Sequence, residues 1–167
     1  MTACRGSTSS PPALLLNCVV RPQTMDATDR ILGADKLIPV FGYWPSFHDS
    51  EVLSMTLDRR AQGDGYGPTL VAVIHAFEMT SEVGADGCYV LRHHVLVHFR
   101  FHDVVELQLE AFNYQNVLYG LHISDLRERQ LENIKFGVRF DSSFGVDAAF
   151  QCRAIEVVSV VPYSKEQ

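Results

Sequence analysis

The sequence has no long apolar run, little basic charge and few cysteines. No stretch approaches the ~18–20 consecutive apolar residues that a membrane-spanning helix needs. The 14 Lys and Arg side chains are outnumbered by 20 Asp and Glu, which gives a net charge of −6. Because phosphate binding needs a basic surface, this balance argues against nucleic acid or an anionic membrane as the partner. It is compatible with a basic protein partner, which an acidic surface would attract.

The cysteines lie far apart, and no two of them form a CxxC pair. They are Cys4, Cys18, Cys88 and Cys152. This spacing favours neither a structural zinc site nor a dense disulfide framework. We therefore expect free thiols in a reducing cytoplasm, with pairing of Cys88 and Cys152 left open as the alternative.

The length of 167 residues suits one domain with a sizeable core. Residues 1–24 differ in composition, because small and polar residues (RGSTSSPP) precede a short apolar run (ALLLNCVV). We interpret them as an N-terminal arm that is partly flexible. A single β-rich domain is expected over 25–163, with a C-terminal tail at 164–167. Met25 could be the original start, so the sequence leaves open whether the arm belongs to the protein.

Alternation of apolar and polar residues dominates from Glu51 onward and predicts about seven strands. In the first strand, the pattern places Leu53, Met55 and Leu57 on the buried face. The last strand is expected from about Ala148 to Val161. Turn-rich segments join the strands and no long helix is available for a parallel crossover, so the sheet should be antiparallel. The predicted fold is mainly β, an antiparallel sandwich or a partly open barrel, with a short N-terminal helical segment before Pro45 and one further helical turn near 125–131.

No catalytic, cofactor or metal site follows from the remaining motifs. His98 and His102 share a strand face but stand ~13 Å apart, too far to share one zinc ion. The sequence contains no HExxH, no GxSxG and no glycine-rich loop that leads into a helix. We expect a protein that is not an enzyme.

The segment GYWPSFHDSEV concentrates aromatic, proline, histidine and carboxylate side chains before the first strand. Its candidate residues are Trp44, Pro45, Phe47, His48, Asp49 and Glu51. One interpretation is structural, with the aromatic rings buried and Asp49 accepting backbone N–H bonds where the strand begins. The alternative is a small-ligand-binding or hydrolytic cleft, formed if the ends of two strands meet. That cleft would be lined by His48, Asp49, Glu51, His102 and Asp103.

Two segments resemble the bacterial immunity protein 50 family of polymorphic toxin systems. They are WPSFHDSEVLSMTLDR (44–59) and LVHFRFHDVVELQLEAFNYQNVLYGLHI (96–123). The second segment is marked by Phe112, Asn113, Gln115 and Asn116. The similarity spans roughly 25–162, and so excludes the arm.

The resemblance implies a small bacterial cytoplasmic protein that binds and blocks a cognate toxin, whose gene we expect nearby. It implies no catalytic residue and no particular binding surface. From the residues themselves, the outward row of Glu106, Gln108 and Glu110 is the candidate acidic interface, with Glu106 and Glu110 supplying the charge.

Overall fold

The computed structural model describes residues 27–60 and 65–163, so the predicted arm at 1–24 and tail at 164–167 lie outside the described residues. Eight strands form the domain. They are β1 (Glu51–Asp58), β2 (Thr69–Val83), β3 (Tyr89–His102), β4 (Val105–Glu110), β5 (Val117–Asp125), β6 (Phe136–Phe144), β7 (Asp147–Cys152) and β8 (Ala154–Pro162).

The helical elements are short and lie where the sequence predicts them. Two 3-10 turns, Ala27–Arg30 and Ala34–Lys36, precede a single α-helical turn, Ile38–Phe41. A third 3-10 turn, Arg127–Arg129, connects β5 to β6. Over the described ranges, helices therefore occur only before Pro45 and near 125–131.

All strand pairs are antiparallel and belong to one unclosed sheet with the order β4-β7-β6-β5-β1-β2-β3-β8. The predicted mainly β class is confirmed, with eight strands instead of about seven. The last expected strand is divided at Arg153, where the chain passes from β7, beside β6, to β8, beside β3. β1 and β5 are joined by one registered pair, Glu51 with Val117, so the sheet consists of two four-stranded halves.

The core lies between the inner faces of these halves. Phe101 on β3 packs against Phe140 on β6 and Phe150 on β7, with ring centroids 6.0 and 4.9 Å apart. These strands are not neighbours in the sheet, so the sheet must curl until its two halves face each other. Burial of these large rings, with the other apolar side chains of the core, stabilises the fold, since apolar area removed from water drives folding.

The burial predicted for β1 is only partly correct. Leu53 falls in a register shift between Val52 and Ser54 and is exposed, whereas Val52 is buried. Leu57 is opposite the buried Leu70 but is itself exposed, because no residue of the described ranges is registered with β1 on its other edge beyond Glu51. The two-residue period identified the strand but could not show the bulge or the free edge.

Candidate functional site

The WPSFHD segment forms the corner between the helical turns and β1. Pro45 and Phe47 are buried, and the Phe47 ring meets Trp44 and Phe99 edge-on at centroid distances of 5.8 and 5.5 Å. Phe47 has a φ of 60°, which is uncommon for a bulky side chain and is held here by burial of the ring. Trp44, Pro45 and Phe47 therefore serve packing in this structure.

His48 and Asp49 lie on the solvent side of the same corner. His48 Nδ1 is 3.1 Å from the Asp49 carboxylate, and the His48 ring meets Tyr119 at 5.3 Å. The Asp49 side chain was expected to accept hydrogen bonds from backbone N–H groups, but the described residues show no such bond. Instead, the backbone N–H of Asp49 donates to the carbonyl oxygen of Leu118 at 3.0 Å, and Asp49 has a φ of 60°. Aspartate tolerates this left-handed conformation, which gives a backbone reason for its presence. Glu51 is half-buried at the start of β1.

Asn116, from the second motif, is buried and connects three segments of chain. Its Oδ1 accepts hydrogen bonds from the backbone N–H of Asn113 at 2.8 Å and of Val146 at 3.2 Å. Its Nδ2 donates to the carbonyl oxygens of Asn113 at 2.9 Å and Val52 at 3.4 Å. One amide thus fastens the 111–116 loop both to β1 and to the turn between β6 and β7.

Gly145 in that turn makes the close approach possible. Its φ is +84°, and a Cβ added there would lie 2.7 Å from Asn116 Oδ1 and would also collide with the carbonyl oxygen of Gln115. Phe112, Asn113 and Gln115 are all exposed on the loop that Asn116 holds.

Two exposed aromatic residues at this joint are not among the residues predicted from the sequence. Tyr114, between the motif residues, is 91% exposed, and Phe144 at the end of β6 is 45% exposed. Their ring centroids are 6.0 Å apart. The contact joins residues 30 positions apart (144 − 114), so no local pattern could have indicated it.

The predicted acidic row lies on the outer face of the half formed by β4, β7, β6 and β5. Directly opposite side chains of antiparallel strands point to the same side. Glu110 is opposite Asp147, and Glu106 accepts a hydrogen bond from Gln151 Nε2 at 3.0 Å. Glu106, Gln108 and Glu110 are all exposed.

Two aspartates that the sequence did not single out extend this acidic face. Arg139 lies 3.0 Å from Asp147 and 3.5 Å from Asp141, and His122 Nε2 lies 3.8 Å from Asp141. Together with the two glutamates of β4, these aspartates place four carboxylates on this face, two of which contact the guanidinium of Arg139. The face is therefore acidic over several strands.

A groove connects the acidic face to the WPSFHD corner. A depression of about 350 Å³ lies over Gly137 and Ala149, whose small size leaves room between longer side chains. A second depression of about 430 Å³ lies between Tyr119 and the corner. His122 and Ile123 line both depressions, so the two adjoin each other.

The five side chains of the alternative cleft do not converge. They divide into His48, Asp49 and Glu51 at one end of the sheet and His102 and Asp103 at the other. Glu51 is registered with His75, and His75 with Leu96 on β3. Leu96 is six residues before His102, which corresponds to ~20 Å along an extended strand.

His102 and Asp103 are instead engaged in contacts at the end of β3. His102 Nε2 is 3.3 Å from Glu156. Burial acts to raise the pKa of Asp103, but the contact with the Arg153 guanidinium and the hydrogen bonds from the backbone N–H groups of Gly67 (2.5 Å) and Tyr66 (2.7 Å) outweigh it and lower that pKa. A carboxyl group with a lowered pKa is a poor general acid at neutral pH.

Within the described ranges, no group of three or more His, Cys, Asp or Glu side chains could hold a metal ion. Nor does any helix in this part of the chain have the length and apolar character needed to cross a membrane.

The fold and the surface define a class: a small, mainly β protein with an acidic outer face and an open groove. Residues 33–163 match the family described as Immunity protein 50. Because that match covers most of the chain, the protein belongs to the immunity protein 50 family, as its two motifs predict. The family name indicates an immunity role, which suggests a non-enzymatic protein with a toxin as its general kind of partner. Comparison with curated proteins and with solved structures gives no match.

Proposed function

We propose that this chain is a non-catalytic bacterial immunity protein that binds a cognate polymorphic toxin in the cytoplasm and blocks it. The observation that carries the proposal is membership of the immunity protein 50 family over residues 33–163. The toxin is expected to be encoded close to the gene for this protein.

The acidic outer face is the surface we assign to this binding. Glu106 and Glu110 project from β4 into solvent, and Asp141 and Asp147 continue the same charge across the sheet. A basic toxin surface would be steered towards this field, so association should be faster at low ionic strength. The adjoining groove offers a concave surface that a projecting toxin segment could fill.

Binding to the toxin domain encoded beside the gene tests the proposal directly. The purified, catalytically inactivated toxin domain is immobilised, and association and dissociation rates of this protein are measured at several salt concentrations. The double variant Glu106→Lys with Glu110→Lys should associate more slowly, and its association should lose most of its salt dependence. Its melting temperature should stay close to that of the wild type, because both side chains are exposed.

A matched control carries the same change in net charge on the other half of the sheet. Glu82 lies in β2, and Asp86 lies in the turn that follows. The double variant Glu82→Lys with Asp86→Lys should therefore associate at nearly the wild-type rate. Equal slowing in both double variants would show that only overall charge matters and would remove the assignment to the outer face. No binding of the wild type at micromolar concentration would overturn the immunity function itself.

A further inference from the structure

We infer that an aromatic patch, defined as Phe112, Tyr114 and Phe144, is the docking point for an arginine-bearing loop of the toxin, with Glu110 as the carboxylate that pairs with the arginine. This inference rests on the proposed function. It adds the part of the surface that holds the toxin and the kind of toxin residue that binds there.

The patch exposes three aromatic side chains to solvent. Tyr114 is 91% exposed, Phe112 47% and Phe144 45%. Exposed aromatic residues grouped together on a soluble protein mark interaction sites, and tyrosine is enriched among the residues that dominate binding energy. Tyr114 contacts Phe144, so the two rings form one surface.

The patch is held rigidly by the buried joint beneath it. Asn116 bonds to the backbone of Asn113 on one side of Tyr114 and to Val146 beside the turn that carries Phe144. Gly145 allows the two segments to approach closely. A surface already fixed in its bound shape loses little conformational entropy on association, which favours affinity.

Two carboxylates close to the patch along the chain favour a cationic partner, since Glu110 is two residues before Phe112 and Asp147 is three residues after Phe144. Glu110 and Asp147 are directly opposite each other on neighbouring strands, an arrangement of like charges that destabilises a sheet. Arg139 lies 3.0 Å from Asp147, while the carboxylate of Glu110 has no ion pair within the described residues. A guanidinium from the toxin could pair with Glu110 and stack on the Tyr114 ring, which combines a charge-assisted hydrogen bond with a cation–π contact.

Single substitutions of Tyr114 test the patch, using the inactivated toxin domain encoded beside the gene as the probe. Tyr114→Ala should weaken binding by about 10- to 30-fold, mainly through faster dissociation, with an unchanged melting temperature. Tyr114→Phe should bind almost as well as the wild type, because the ring supplies the contact. Tyr66 is also 91% exposed but lies on the loop before β2, so Tyr66→Ala is the matched control and should bind normally.

The variant Glu110→Gln separates a binding role from a structural one. Removing one of two opposed like charges should leave the melting temperature equal or higher, whereas affinity for the toxin should fall by several-fold. A residue retained only for stability would show neither effect.

The outcomes distinguish this inference from the proposed function. If Tyr114→Ala and Glu110→Gln both bind the toxin as tightly as the wild type, the inference is wrong, but the proposed immunity function is unaffected. If sedimentation shows that the wild type self-associates and that Tyr114→Ala abolishes this without changing toxin affinity, the patch joins two copies of this chain and the inference is wrong. A toxin domain that fails to bind the wild type would overturn both.

Discussion

The carboxylate of Asp103 contacts the guanidinium of Arg153, and the two residues occupy the two bends at which the chain passes between the halves of the sheet. Asp103 follows β3, and Arg153 is the single residue between β7 and β8. The backbone N–H of Arg153 also donates to the carbonyl oxygen of His102 at 2.9 Å. This pair therefore fixes the angle between the halves and, through it, the shape of the core between them.

The lowered pKa of Asp103 gives this bend a predictable pH dependence. Because the folded-state pKa is lower than the unfolded value of about 3.9, the ionised carboxylate stabilises the fold above that pH. The contribution is lost as the pH falls through the lowered folded-state pKa. Asp103→Asn should cost about 1–3 kcal/mol at neutral pH, and the difference from the wild type should start to shrink near about pH 4 and reach its minimum only below the lowered folded-state pKa.

Urea unfolding at a series of pH values measures this difference. The control is Asp35→Asn, which changes an exposed aspartate in the second 3-10 turn and should alter the unfolding free energy at neutral pH by less than about 0.5 kcal/mol. A constant difference between Asp103→Asn and the wild type from pH 7 to acid would contradict the predicted linkage.

Asn116 is predicted to be the most sensitive polar residue of the second motif. Asn116→Ala removes the partners of four backbone groups, two of them N–H donors, and should lower the unfolding free energy by about 2–3 kcal/mol. Gln115→Ala, at the exposed neighbouring position, should change it by less than about 0.5 kcal/mol. Thermal or urea unfolding of both variants checks the contrast, and equal stability would show that the amide network contributes little.

Most of the fold could be predicted from the sequence because the strands show a local pattern, the alternation of apolar and polar residues. The two-residue period indicated the strands, and the short turns between them indicated the antiparallel class, since both are local features of the sequence. It did not reveal the division at Arg153, where the buried positions slip by one residue between Cys152 and Ile155, because a slip of this kind also occurs at a bulge within one strand; the change of partner strand is not visible in the sequence. Nor could it show that Leu57 lies beside a free edge, which depends on the path of β5.

The candidate site was less predictable because its parts meet across long sequence separations. The acidic row on β4 was visible as alternating residues, but its extension through Asp141 and Asp147 depends on strand register. Asn116 was recognised from a motif, whereas its role depends on Val52 and Val146, which are 64 and 30 residues away. The contact of Tyr114 with Phe144 could not be predicted either, because these residues are also 30 positions apart.

Substitutions at Asp49 show whether the first motif needs an aspartate there for its side-chain contact with His48 or for its left-handed backbone conformation. If the left-handed φ of 60° matters, Asp49→Gly should be nearly as stable as the wild type, while Asp49→Ala should lose about 1 kcal/mol. If the contact with His48 matters instead, both variants should lose stability to a similar extent, and His48→Ala should match them. Melting temperatures of the three variants separate these cases. Normal stability of all three with loss of toxin binding would make this corner part of the interface.

The two cysteines within the described residues should differ widely in reactivity. Burial raises the pKa of Cys152 to about 12, with a further contribution from the negative charge of Asp103, so almost none of it is thiolate at pH ~8. Cys88 is an exposed free thiol in the turn before β3. Iodoacetamide at that pH should therefore alkylate Cys88 in the folded protein and leave Cys152 unmodified, as judged by peptide mass spectrometry. Both should react in urea, which controls for the reagent. Rapid labelling of Cys152 without denaturant would mean that the packing between the halves of the sheet opens far more often than its buried core implies.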